Sequence, residues 1–249
     1  MGDCEAPQDL WLFGYGSLIW KPPPHYDLRL PGYIEGFIRR FWQMISIRLS
    51  KGRISNSRPS SEDHRGTPEA PGRVCTLIDR ELWETLTDQH ASAPPRVWGA
   101  AYRIPAANVA EVKEYMDIRE INGYSIQYTP FKQPTKQQDM SATYQDVHVP
   151  NDLTTDGKAI KCLVYIGLPD NPQFLGPQDP QALAEHILKS RGPSGENKDY
   201  LYELEAALNE LSEESCDEHV SDLARRCREV EARIKADEGE TQTCATVTI

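Results

Sequence analysis

Residues 10–20 have the sequence LWLFGYGSLIW, an apolar run that is followed by a loop with two glycines and then by apolar residues again. Four consecutive apolar or aromatic residues that end at Gly14 are typical of a buried strand. Glycine permits a tight turn and a close approach of the backbone to a ligand. The stretch therefore predicts a buried first strand that leads into a tight loop, and this loop is the first candidate site.

Further strand and helix patterns follow along the chain. Aromatic and β-branched residues favour strands, and apolar residues at intervals of three and four favour helices. The strands are predicted at residues 32–47, 72–78, 97–104, 124–131, 142–149 and 161–166, and the helices at 81–86 and 108–119. Because these elements alternate irregularly rather than as βαβ repeats, we expect an α+β fold with a mixed, barrel-like sheet and flanking helices.

The C-terminal part differs from the body in its charge. Residues 196–249 hold 15 acidic and 6 basic side chains, so they carry most of the net charge of -11. Apolar residues three and four positions apart predict two amphipathic helices in residues 201–234, followed by disorder from Asp237. We expect the helices to pack on the body or on each other, and self-association through a short coiled coil is the alternative.

The domain organisation follows from these patterns. We expect a flexible N-terminus at residues 1–9, one domain at 10–212, and an acidic helical tail with a disordered end at 213–249. The N-terminus has no basic segment followed by an apolar one, so it does not resemble a secretory signal. The expected location is the cytoplasm.

Composition excludes several classes of partner. The chain has 39% hydrophobic and 26% charged residues, without an apolar run near the ~20 residues of a membrane span. The body without the tail is almost neutral, which argues against a nucleic-acid surface and favours a small polar substrate. The six cysteines are far apart and form no C-x-x-C pair, so we expect free thiols and no metal site.

Taken alone, the motifs that could carry chemistry are weak signals. The loop at residues 14–18 lacks the lysine and second glycine of a phosphate-binding loop, but its N–H groups could hold a carboxylate or carbonyl oxygen. Glu120 follows a predicted helix, where a glutamate is usually a solvated surface charge.

Several motifs together resemble one family, the ChaC-like γ-glutamylcyclotransferases. They are FGYGSLIW at 13–20, DHRGTPEAPGR at 63–73, Arg119-Glu120 with Gly123-Tyr124, and segments within 165–177 and 192–201. Their order and spacing are similar to the family's along roughly residues 10–212. The final amphipathic segment lies outside the resemblance.

The resemblance implies a compact barrel with flanking helices that uses no metal or cofactor. It implies conversion of γ-glutamyl amides to 5-oxoproline, with glutathione as the substrate and Cys-Gly as the second product. It also implies that Glu120 is the catalytic residue and that the glycine loop holds the γ-glutamyl group. The candidate substrate-binding residues are Gly14, Tyr15, Gly16, Ser17, Leu18, Ile19, Tyr165 and Arg73.

The chemistry of this reaction explains why a carboxylate and a loop suffice. The α-amine of the substrate attacks the γ-carbonyl of the same molecule, so Ser17 contributes to binding rather than acting as a nucleophile. One carboxylate, Glu120, can take the proton of the ammonium and return it to the leaving amine. Tyr15 and Tyr165 either bond the substrate or pack in the core, and Arg65 and Arg73 are either structural charges or ligands of the glycine carboxylate.

Because of two departures from the family pattern, the sequence does not decide which γ-glutamyl compound is the substrate. Residues 44–61 resemble an insertion, and Ile121-Asn122-Gly123 stands where a basic residue and two glycines are more common. Another γ-glutamyl amide or a glutathione conjugate is the alternative substrate. A non-catalytic binding module of the same fold is the alternative function.

Overall fold

A computed structural model describes residues 8–45, 65–119, 124–134 and 160–245 of the 249-residue chain. The predicted strand at 142–149 and most of the apparent insertion at 44–61 lie outside the described residues. The strands are β1 Leu10–Gly14, β2 Leu28–Glu35, β3 Phe37–Ile45, β4 Gly72–Asp79, β5 Arg96–Ile104, β6 Tyr124–Phe131, β7 Ile160–Gly167, β8 Arg191–Gly192 and β9 Gly195–Glu196. The α-helices are α1 Arg80–Trp83, α2 Val109–Arg119, α3 Pro180–Lys189, α4 Asn197–Leu211 and α5 Glu218–Ala245.

The main sheet is mixed, as the sequence predicts. Within the described residues it has five strands in the order β2-β5-β1-β7-β6. Strands β1 and β7 run parallel, with Leu12 beside Leu163, and the other neighbours are antiparallel. Strand β1 therefore lies in the middle of the sheet.

The apolar run of β1 is explained by its burial on both faces. Phe13 belongs to a large core cluster with residues of α3, α4 and α5, whereas Leu12 belongs to a second cluster with Val112 and Met116 of α2. Successive side chains of a strand point to opposite faces, so a strand covered on both sides needs consecutive apolar residues. Helix α2 thus covers one face of the sheet, and α3–α5 cover the other.

The strand expected at residues 32–47 is two strands. Gly36 separates β2 from β3 with a φ of 85°, a conformation that breaks the extended chain and favours glycine. Strand β3 then leaves the main sheet and pairs with β4 in an antiparallel ladder. A pattern of apolar residues that continues through a single glycine did not reveal this break.

The two edges of the main sheet approach each other at one point. Tyr33 of β2 and Lys132, the residue after β6, exchange both backbone hydrogen bonds at 2.9 Å. The described residues do not form a closed barrel, so the barrel-like form of the sheet stays a prediction.

The C-terminal helices are part of the packed body. Val220, Leu223, Ala224 and Cys227 of α5 lie in the large core cluster, although the domain was expected to end at residue 212. The backbone of α5 is helical to Ala245, past Asp237, where the sequence suggested disorder. None of the helices that the structure describes is both long and apolar enough to cross a bilayer.

Candidate active site

The glycine loop follows β1 and turns back in one short 3₁₀ segment, Ser17–Ile19. The Ile19 N–H donates to the carbonyl of Gly16 at 2.9 Å, and the Trp20 N–H donates to that of Ser17 at 3.1 Å. Leu18 is buried in the α2 cluster and Ile19 in the large cluster. The loop is therefore anchored on both sides of the sheet, while Gly16 and Ser17 remain partly exposed.

Hydrogen bonds from three polar side chains fix the loop further. The Tyr15 hydroxyl donates to the backbone carbonyl of Tyr165 at 2.8 Å, across to β7. The Tyr102 hydroxyl donates to the carbonyl of Leu18 at 2.6 Å, and the Arg29 guanidinium donates to that of Ile19 at 3.2 Å. A loop held by buried bonds from different strands keeps its shape before a ligand arrives.

Both glycines of the loop are required by close packing. A Cβ on Gly14 would overlap the Cβ of Leu18. A Cβ on Gly16 would lie 2.9 Å from the Tyr200 hydroxyl oxygen and 3.0 Å from the Cys75 sulfur, closer than Cβ atoms normally approach. The loop thus rests directly on α4 and β4.

The thiol beneath the loop is not suited to nucleophilic chemistry. Cys75 is buried, and its sulfur lies 3.2 Å from the Tyr200 hydroxyl. Burial raises the pKa of Cys75 to about 11, so the thiol stays protonated at neutral pH. Its role is packing against the glycine loop.

Tyr165 links the loop to the end of α2. Its carbonyl accepts the Tyr15 bond, and its ring lies in the α2 cluster. Its hydroxyl donates to Asp117 in the last turn of α2, at 3.2 Å. Glu120 lies outside the described residues, one position beyond the C-terminal end of this helix.

Arg73 lies in β4, and its side chain bonds to nearby residues that are not part of the glycine loop. The guanidinium donates to the carbonyls of Pro71 at 2.9 Å and Gly72 at 3.1 Å, and to Gln178 at 3.4 Å. Burial lowers the pKa of Arg73 from its ordinary value. These partners lie outside the glycine loop, so the contacts of Arg73 do not unite it with the other candidate residues.

Arg65 has a structural environment. Its guanidinium is buried and donates to the carbonyl of Glu196 at 3.0 Å and to the carboxylate of Glu203 at 3.4 Å. Glu203 also accepts from the indole N–H of Trp20, just after the loop, at 2.9 Å. Of the two roles left open for Arg65, these contacts favour the structural one.

The sequence does not predict the contacts of several residues that shape the site. Tyr102 has the appearance of a core residue within a strand, and its bond to Leu18 depends on the register of β5 beside β1. Asn197 bonds both the N–H and the carbonyl of Arg73, each at 2.7 Å, and so attaches α4 to β4. The sequence indicates Asn197 and Tyr200 only through the family resemblance, and no local pattern predicts their contacts.

Comparison with known proteins gives a consistent family assignment. The family model described as "ChaC-like protein" matches residues 10–230. A protein of Schizosaccharomyces pombe named glutathione-specific gamma-glutamylcyclotransferase is 40% identical over 220 residues, which are 88% of this chain and 92% of that protein. The Saccharomyces cerevisiae protein of that name is 37% identical, over 81% of this chain and 86% of its own.

Human and yeast proteins extend the similarity. The human glutathione-specific gamma-glutamylcyclotransferase 1 is 31% identical, over 86% of this chain and 77% of its own. A crystal structure of the glutathione-specific γ-glutamylcyclotransferase from yeast has a TM-score of 0.67 at 33% identity, covering 90% of this chain and 99% of that one. The similarity therefore covers between 77% and 99% of the length of each of these relatives.

Proposed function

The chain belongs to the family of ChaC-like proteins, and from this premise we propose that it is a γ-glutamylcyclotransferase that degrades glutathione. The reaction converts the γ-glutamyl group to 5-oxoproline and releases Cys-Gly. It is a lyase reaction, because it breaks a C–N bond without adding water. The names of the relatives at 31–40% identity support glutathione as the substrate.

The observation that carries the proposal is the fixed glycine loop. Tyr15, Leu18 and Ile19 anchor it, and Gly16 and Ser17 remain accessible between the anchors. A preformed loop is what an intramolecular reaction needs, because the substrate must be held in a folded conformation. Orienting the two reacting groups can lower the barrier by about 7 to 11 kcal/mol.

Apart from proton transfers, the bonding changes are confined to the substrate. The α-amine forms a C–N bond to the γ-carbonyl carbon, and the bond from that carbon to the cysteine nitrogen breaks. Negative charge develops on the γ-carbonyl oxygen, where loop N–H groups are the proposed donors. Loss of one such donor typically costs about 3 to 4 kcal/mol of transition-state stabilisation.

Glu120 is the proposed acid and base. It accepts a proton from the α-ammonium, which makes the amine nucleophilic, and it returns a proton to the nitrogen of Cys-Gly as that group leaves. The bond from Tyr165 to Asp117 supports this role, since it holds the last turn of α2 against β7, the strand that Tyr15 also reaches.

The remaining candidate residues have proposed binding roles. Gly14, Gly16 and Ser17 shape the loop that receives the γ-glutamyl group, and Tyr15 and Tyr165 border it. Arg73 is retained as a candidate for the glycine carboxylate of glutathione. Its charge supports this role, although its present bonds are to Pro71, Gly72 and Gln178.

Two broader proposals accompany the activity. The bridge between Tyr33 and Lys132 supports a sheet that is barrel-like, with β2 and β6 as the strands that meet. The cytoplasm is the proposed compartment, and the free thiols of Cys75, Cys162, Cys216 and Cys227 are compatible with a reducing environment.

Product analysis by mass spectrometry tests the substrate, the reaction and the acid/base assignment together. The wild type, a Glu120→Gln variant and a Glu114→Gln control are each mixed with glutathione. We expect 5-oxoproline and Cys-Gly from the wild type and from Glu114→Gln, whose residue is exposed on α2. The Glu120→Gln variant should lose at least about 100-fold in rate, the lower range of acid/base contributions.

Two results would contradict parts of the proposal. An active Glu120→Gln variant would remove Glu120 from the mechanism but keep the reaction. A wild type that leaves glutathione intact would exclude glutathione as the substrate and leave other γ-glutamyl amides, or a binding role.

A further inference from the structure

Strand β6 presents two large apolar side chains to solvent. Ile126 is 50% exposed and Tyr128 is 58% exposed, so they are among the most exposed large apolar residues that the structure describes. Side chains two positions apart on a strand point to the same face of the sheet. Ile126 and Tyr128 therefore form one continuous patch, which we call the β6 patch.

The register of the sheet identifies the face on which the β6 patch lies. Ile126 is directly opposite Tyr165 of β7, and Tyr128 is directly opposite Leu163. Directly opposite residues share a face, with Cβ atoms about 4.5 to 5.5 Å apart. Tyr165 and Leu163 belong to the cluster beneath α2, so the β6 patch continues that face at the edge of the sheet.

The β6 patch lies next to the candidate site. Ile126 is level with Tyr165, the residue that receives the bond from Tyr15 of the glycine loop and donates to Asp117 at the end of α2. Tyr165 is 6% exposed, and a ligand that reaches the edge of its ring would have Ile126 as a neighbour.

The chemistry of the substrate indicates which of its groups would lie there. The γ-glutamyl group ends in an ammonium and a carboxylate, and the glycine residue ends in a second carboxylate. The apolar part of the tripeptide is the cysteine side chain. Burying apolar surface is favourable and charged groups lose hydration against an apolar surface, so the cysteine side chain matches this environment.

We propose that Ile126 and Tyr128 determine substrate specificity by contacting the side chain of the residue that follows the γ-glutamyl group, together with any apolar group attached to its sulfur. This inference rests on the proposed function. It extends the substrate class from glutathione to S-alkyl conjugates of glutathione, whose alkyl group lies along the β6 patch.

The test compares kcat/KM for three substrates: glutathione, γ-glutamyl-glycyl-glycine and S-butylglutathione. The variants are Ile126→Ser and Tyr128→Ala. Ile234→Ser is the matched control, because Ile234 has the same 50% exposure but lies on α5. The measured quantity is the ratio of kcat/KM values between two substrates, in which the fraction of folded enzyme cancels.

The wild type should prefer glutathione over γ-glutamyl-glycyl-glycine by at least about tenfold and should cleave S-butylglutathione at least as well as glutathione. In Ile126→Ser and Tyr128→Ala, both ratios should fall by roughly tenfold, since apolar contacts of this size carry such factors. Ile234→Ser should keep the wild-type ratios.

Three outcomes would overturn the inference. The first is wild-type ratios in both β6 variants. The second is a change of molecular mass by light scattering in Ile126→Ser with unchanged ratios, which would identify the β6 patch as an interface between copies of the chain. The third is a wild type that releases 5-oxoproline from none of the substrates. That outcome overturns the proposed function itself and is recognised before any variant is measured.

Discussion

Gly16 is closely packed within the candidate site. The Tyr200 hydroxyl and the Cys75 sulfur lie beneath it, so that even a methyl group would meet both at about the shortest distances that Cβ atoms tolerate. A side chain at position 16 requires the Tyr200 hydroxyl, the Cys75 sulfur or the loop itself to move. The packing partners come from α4 and β4, far away in the chain.

Replacing Gly16 by alanine should therefore displace the loop and reduce kcat/KM for glutathione by roughly 10- to 100-fold, because displacements of about 1 Å have such effects on oriented reactions. A Tyr200→Phe substitution removes the oxygen at 2.9 Å. The Gly16→Ala/Tyr200→Phe double variant should recover part of the loss, which steady-state kinetics on all four proteins would detect as non-additivity. Strictly additive losses would contradict direct contact between the two positions.

The sequence predicted the residues of the loop but not what holds them. A strand followed by Gly14 and Gly16 is a local pattern, and it indicates a tight turn without further information. The bonds from Tyr102 and Arg29, and the support from Tyr200, depend on which strands are neighbours and in which register. A single sequence carries no direct signal for such long-range geometry.

Ionisable groups take part in attaching helix α5 to the body. The Phe41 N–H donates to Nε2 of His219 at 3.0 Å, so the His219 proton is on Nδ1, which lies 3.0 Å from Nδ1 of His90. His90 in turn donates from Nε2 to Asp222 at 2.9 Å. This chain of bonds, the His219 relay, works only while His219 is neutral.

Acid should weaken this attachment. Burial, followed by the charges of Arg40, His90 and Arg39, lowers the pKa of His219 well below its ordinary value. Below a pH of about 6.5, the ordinary pKa of a histidine, the unfolded chain therefore binds a proton at His219 that the folded chain does not bind. The stability contributed by neutral His219 is complete above about pH 6.5 and declines as the pH falls below it. Asp217 and Asp222 are the nearby acidic groups.

Urea denaturation of the wild type and of His219→Gln at pH 7.5 and 5.5 measures this effect. Glutamine can accept the Phe41 bond but does not titrate in this range. The wild type should lose more of its free energy of unfolding between the two pH values than His219→Gln does. The exposed His25 provides the control, and His25→Gln should lose as much as the wild type. Equal losses in all three proteins would exclude His219 as the source.

For helices and strands, the sequence predicted the type of an element better than the residues at which it begins and ends. The periodic apolar residues of α2, α4 and α5 predicted helices that the structure contains. The break at Gly36 and the continuation of α5 to Ala245 were not predicted, because one glycine or a run of charged residues is compatible with either outcome.

The whole molecule depends on α5 for its core. A chain that ends after Ser212 would lose four buried side chains of the large cluster and the partner of the buried Arg39, whose guanidinium lies 3.1 Å from Asp217. Burial of a valine or leucine side chain, such as Val220 or Leu223, contributes about 1.5 to 3 kcal/mol, against a total stability of about 5 to 15 kcal/mol.

The truncated protein 1–212 should therefore lack a cooperative thermal transition and have no activity on glutathione. The control protein 1–237 keeps the four buried α5 residues of the large cluster and should keep the melting temperature and the activity of the full chain. Circular dichroism during heating measures the thermal transition of each protein, and the product assay measures its activity. A folded, active 1–212 would instead support the shorter domain that the sequence suggested.

The position of β1 has a consequence for the order of events during synthesis. The glycine loop is synthesised before its supports, which include β5, β7 and Tyr200 of α4. Contacts between such distant parts of a chain form slowly, and domains fold as units. A nascent chain therefore cannot assemble the loop until Tyr200 has been made, so a translation product that ends before Tyr200 has no competent binding loop.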